Sequence, residues 1–123
     1  AHFVVARTFL PGMASGQGGT YILINGFSAE EPYPLAGPVS AAAAAQLMLG
    51  RVLMRELEGA PVRVHELVLG PVMSRSRSRG WPEWISADDV GSLAASLAQA
   101  GLRVPSQVLR VGNRAALHEA YAS

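Results

Sequence analysis

The sequence predicts an α/β fold: a parallel sheet with helices on both faces, built as a single partial domain over residues 1–123. Two short strand-like runs, YILI at 21–24 and VRVHELVL at 62–69, flank one long apolar-periodic stretch that suits a helix. The first run is apolar at consecutive positions, the pattern of a strand covered on each side. A helical crossover between two strands of one sheet makes them parallel.

Composition narrows the classes. With 123 residues, 50% of them apolar, the chain has room for one domain and one core. Arg51, Arg55 and Glu56 interrupt its longest apolar stretch, so no membrane span is expected. A net charge of +1 offers no field to steer the chain to nucleic acid or an anionic membrane. The absence of cysteine removes disulfides, thiolate catalysis and cysteine-based metal sites, which fits a cytoplasmic location. All ten basic residues are arginine, so no mechanism here can use a lysine.

Taken in order, residues 1–10 read as the end of a helix stopped by Pro11 and Gly12, with Val5 and Phe9 on one stripe. The chain opens inside a helical pattern, without an initiator methionine, and is expected to be part of something longer. GMASGQGG reads as a surface turn; its glycines precede a strand, the reverse of a dinucleotide fingerprint. The strand at 21–24 ends at Asn25, Gly26, Phe27 and Ser28, where ligands of open parallel sheets gather. A helix is expected after Pro38, over residues 40–57, with Ser40 as N-cap and Gly59 beyond its end. The strand at 62–69 closes on Gly70 and Pro71, and VMSRSRSRGWPEW follows as a long loop. Ser86, Asp88 and Asp89 open a third helix as a capping-box variant, with Val90, Leu93 and Leu97 on its buried face and Gly101 at its stop. A third strand at 107–111 and a short helical tail at 113–123 complete the chain.

Three motifs carry a resemblance. VSAAAAAQL stands where the short-chain dehydrogenase/reductase family has Tyr-Ser-Ala-Ser-Lys-Ala-Ala, VRVHELVLGPVMS where it has Arg-Val-Asn, Pro-Gly-Pro-Val and a Thr, and ISADDVG where it has Pro-Glu-Asp-Val-Ala. The chain is similar to roughly the carboxyl-terminal half of that family's fold. The resemblance implies a partial Rossmann-like, doubly wound parallel sheet of three strands with flanking helices. It also implies NAD(P)-dependent carbonyl or alcohol oxidoreduction, with NAD or NADP as cofactor.

The same alignment places Gly26, Val39 and Ala43 at the family's catalytic serine, tyrosine and lysine. The family's serine orients the carbonyl, its tyrosine moves the proton, and its lysine tunes the tyrosine and holds the ribose. The expectation is a catalytically degenerate segment that binds no cofactor alone, since the glycine-rich phosphate site belongs to the half not present. The alternative is a non-catalytic structural or oligomerisation module.

Weak catalytic candidates are Ser28 and Tyr33, the latter without a neighbouring cation to activate it. By resemblance, Gly70, Pro71, Val72 and Ser74 form the nicotinamide-side loop. Arg75, Arg77 and Arg79 could grip phosphate bidentately, or form a solvated lid. Trp81 and Trp84 stand outside that run, so no stacking ladder supports nucleic acid. His2, His65 and His118 lack metal-ligand spacing, and adjacent Glu30 and Glu31 would diverge in an extended loop. The expected partner is a second copy, through the helix at 40–57, or the missing amino-terminal half.

Overall fold

In the computed structural model, residues 2–73 and 83–117 are described. Helix α1 spans His2–Ser15, strand β1 Gly19–Gly26, helix α2 Gly37–Glu56 and strand β2 Val62–Leu69. Two short strands follow, β3 at Val72–Met73 and β4 at Ile85–Ser86, then helix α3 at Ala87–Ala100 and strand β5 at Gln107–Val111. The main sheet is parallel in the order β1-β2-β5, as the sequence predicts.

Helices cover both faces. On one side α1 and α2 close over Ala6, Leu10, Leu23, Val62 and Val64, with Met13, Leu53 and Leu57 around them. On the other, α3 brings Val90, Leu93 and Leu97 against Leu67, Leu69, Ile85 and Val111. The alternation of side chains along β2 sends Val62 and Val64 to the first cluster and Leu67 and Leu69 to the second. Arg63 staples the segment between α3 and β5 to β2, donating from Nε to the Val104 carbonyl at 2.8 Å and from Nη2 to the Leu102 carbonyl at 3.1 Å.

Several local expectations are corrected. Helix α1 does not stop at Pro11 but runs through it to Ser15. A proline inside a helix costs about 3 kcal/mol, and burial of Ala6 and Leu10 with Met13 and Ala14 on the same stripe offsets that cost. Val5 and Phe9 are exposed instead. Strand β1 is longer than residues 21–24: its register with β2 runs from Gly19↔Val62 to Gly26↔Leu69, so Asn25 and Gly26 lie within it. Gly18, at φ 83°, passes so close to the Pro61 carbonyl that no side chain fits there. Helix α2 starts at Gly37, not at Ser40, with Ala36 as N-cap and Pro38 in the first turn, where a missing N–H costs nothing.

Residues 72–73 and 85–86, expected as loop and cap, pair as a small parallel two-stranded sheet that buries Ile85. Ser86 is also the N-cap of α3: its Oγ accepts from the Asp89 N–H at 3.0 Å, and the Asp89 carboxylate accepts from the Ser86 N–H at 3.3 Å. Gly101, at φ 54°, ends that helix. Residues 114–117 begin the expected helical tail. Ser74, Arg75, Arg77, Arg79, Trp81 and His118 lie outside the described residues.

Candidate functional site

The carboxyl ends of the three strands form one row, because Gly26 is in register with Leu69 and Leu69 with Val111. Phe27, Gly70 and Gly112 are the next residues along each strand. Gly70 donates its N–H to the Val111 carbonyl at 2.9 Å and is glycine by necessity, since a Cβ would run into the Gly112 carbonyl. A Cβ on Gly112 would lie 3.1 Å from the Phe27 ring. The two glycines let the three loops close on one another, with Phe27 over the end of β5.

Helix α2 begins above this row. Val39, in its first turn, is 62% exposed, and Ala43 sits one turn later. The Ala43 carbonyl accepts Nδ2 of Asn25 at 2.9 Å, which ties α2 to the end of β1. Of Gly26, Val39 and Ala43, the Asn25 bond holds Ala43 beside the carboxyl end of β1, where Gly26 lies, and Val39 stands exposed one turn earlier on α2. They carry no hydroxyl, phenol or amine, so they give neither a proton donor for a carbonyl nor a donor for a ribose.

The weaker candidates separate. Ser28 is half-buried in a short 3-10 turn, Phe27–Ala29, near Gly26. Tyr33 is exposed further along the loop, where its carbonyl accepts the Ala36 N–H at 3.1 Å. Gly70, Pro71 and Val72 lie at the sheet edge, with Pro71 and Val72 exposed. Asn25, at the strand end where ligands gather in open parallel sheets, spends its amide on the protein: Oδ1 accepts the Gly26 N–H at 2.9 Å, and Nδ2 serves Ala43 and Glu66. Glu30 does not pair with Glu31 but with Arg110 of β5, through contacts of 2.6 and 2.8 Å. Hydrogen bonds from Arg110 hold the Glu30 carboxyl below its ordinary pKa. That pair fastens the loop after β1 across the sheet end.

Sequence reasoning passed over Glu66. It lies on β2 with 0% of its surface exposed, beneath α2, and Gln46 and Asn25 donate to its Oε1 at 3.2 and 3.3 Å. Burial raises its pKa, and the two amides lower it by less. The available signal was its spacing, since Glu66 shares the two-residue period of Val62, Val64 and Val68 and must share their buried face. His65 is equally buried on the opposite face, next to its register partner Gln107, and burial followed by the Arg63 charge lowers its pKa. Among the described residues no group of three could hold a metal ion, and no helix is long and apolar enough to cross a membrane.

No family model and no curated protein matches the sequence. Solved structures do match the fold, an α/β arrangement around a parallel sheet. Serine dehydrogenase from Escherichia coli superposes with a TM-score of 0.74 at 23% identity, covering 88% of this chain and 46% of its own. A short chain dehydrogenase/reductase family protein gives 0.73 at 21% identity, over 90% of this chain and 51% of its own. The enoyl-[acyl-carrier-protein] reductase (NADH) of Aquifex aeolicus VF5 gives 0.69 at 23% identity, over 89% and 44%. At such identity the likeness is one of fold, a Rossmann-like parallel sheet, and this chain spans about half the length of the structures it matches.

Proposed function

We propose that this chain is the carboxyl-terminal half of an oxidoreductase fold of the short-chain dehydrogenase/reductase type, catalytically silent by itself. NAD or NADP is the cofactor of the complete fold under this reading. The observation that supports it is that Gly26, Val39 and Ala43, which align with the family's serine, tyrosine and lysine, carry no hydroxyl, phenol or amine. Loss of general acid–base help alone removes a factor of about a hundred to ten thousand, and loss of cofactor orientation removes more. The test is turnover of NADH or NADPH with simple carbonyl compounds, beside a fluorescence titration of each cofactor. Flat traces are expected. Saturable micromolar binding, or turnover that vanishes in Tyr33→Phe, would overturn the reading.

The role left to such a chain is assembly, and the exposed apolar surface supports it. Phe3, Phe9, Met48 and Val52 are exposed on α1 and α2, and a groove of about 360 Å³ runs between these helices. Ile24 is 51% exposed on β1, whose only strand neighbour among the described residues is β2. An unpaired strand edge is a template for another strand. Each large apolar side chain left in water forgoes about 1.5 to 3 kcal/mol. Self-association through α2, or pairing with an amino-terminal half along β1, relieves this. Sedimentation at low micromolar concentration decides: a monomer that melts cooperatively rules out the need for a partner.

A further inference from the structure

The buried carboxyl of Glu66 has no part in the function proposed above. Its Oε2 has no hydrogen-bond partner among the described residues and lies against Gly50 of α2, the one residue type whose bareness makes room for it. The groups acting on it are two neutral amides, Asn25 from β1 and Gln46 from α2, both on the other oxygen. Among the described residues no cation answers it. Arg51 and Arg55 of α2 line a concavity beside Val108, the register partner of Glu66 on β5, but neither is among the groups acting on its carboxyl, and Arg7 of α1 and Glu56 line the α1–α2 groove. Tyr21 shares the face of β1 that α2 covers, His65 lies on the far side of β2, and Glu30 is taken by Arg110. An anion at this place would keep one oxygen unsolvated, which is costly, whereas the neutral acid is far cheaper to bury.

We propose that Glu66 is a pH-sensitive latch: α2 docks on the neutral acid and loosens from the sheet when the carboxyl ionises. Geometry carries the inference, through complete burial, an unpartnered oxygen and a glycine opposite it. The direction of the pKa agrees. A carboxyl raised on folding contributes stability that is complete below its unfolded value and lost as pH rises through its folded value. Docking of α2 is therefore tightest in acid. It weakens by about tenfold per pH unit between those two values, the dependence set by one proton.

Hydrogen exchange of the α2 amides in the 123-residue chain, followed against pH and corrected for chemical exchange, reads the latch directly. In the wild type, protection of α2 should fall about tenfold per pH unit across the window. In Glu66→Gln it should be higher at neutral pH and nearly flat. The same pH dependence in both proteins overturns the proposal. Should the glutamine variant fail to fold, Glu66→Met, apolar and of similar length, answers the same question. The Glu66 carboxyl carbon, followed by NMR in the wild type, gives an answer independent of any variant. A titration at or below the ordinary carboxylate range refutes the latch, and one displaced upward supports it.

Discussion

Replacing Gly50 by alanine tests the packing of α2 on the sheet, and its sign is the opposite of what the helix alone dictates. In an open helical position, glycine to alanine stabilises by about 0.8 to 1.0 kcal/mol. At Gly50 the new methyl would collide with Oε2 of Glu66 and stand 3.4 Å from its Cδ and 3.8 Å from Cδ1 of Leu23. Glu66 and Leu23 are both fully buried, so neither can swing into solvent. Overpacking of this kind costs about 1 to 3 kcal/mol. Displacing the carboxyl also strains the bonds from Asn25 and Gln46, each worth about 0.5 to 1.5 kcal/mol net. The collision outweighs the propensity gain, and Gly50→Ala should destabilise by about 1 to 3 kcal/mol.

Gly91 supplies the control, being interior to α3 with nothing within 4 Å of an added Cβ, so Gly91→Ala should stabilise by up to about 1 kcal/mol. Urea denaturation followed by circular dichroism measures both. In a Glu66→Ala background the collision is gone, and Gly50→Ala should turn stabilising there by up to about 1 kcal/mol, a coupling of about 2 to 4 kcal/mol. Equal stabilisation by Gly50→Ala and Gly91→Ala in the wild-type background would refute the packing of Glu66 against α2.

Two further predictions rest on single contacts. Ser86→Ala removes the cap of α3 and half of its capping box, and should cost about 1 kcal/mol in the same urea assay, while Ser86→Asp should recover most of it. The Glu30–Arg110 pair contributes stability that is present above the unfolded carboxylate value and lost as pH falls through the lowered folded value. Acid titration of stability should therefore lose part of its low-pH fall in Glu30→Gln, and the difference should shrink in high salt because the pair is exposed. An unchanged acid limb would mean that the pair does not persist in solution.

The pattern of apolar runs, the glycine and proline punctuation and the Ser86 cap were enough to define the sheet order and the helices on both faces. Those features are local, and local residues answer to propensity and capping chemistry. That Gly26, Val39 and Ala43 carry no hydroxyl, phenol or amine is a fact of sequence, and what it means for catalysis is left to the turnover assay proposed above.

What the chain could not disclose by itself were the places where distant segments overrule local preference. Pro11 reads as a helix stop until the stripe of Ala6, Leu10, Met13 and Ala14 is seen buried across it. Asn25 reads as a residue of the strand-end crevice until Ala43, eighteen positions on, presents the carbonyl that takes up its amide. Glu66 reads as one charge in a strand, and Gly50 as a weak point in a helix. Only the docking of α2 on β2 makes the two complementary, because burial on a shared face depends on which surfaces meet, and that is settled by tertiary contact rather than by spacing along the chain.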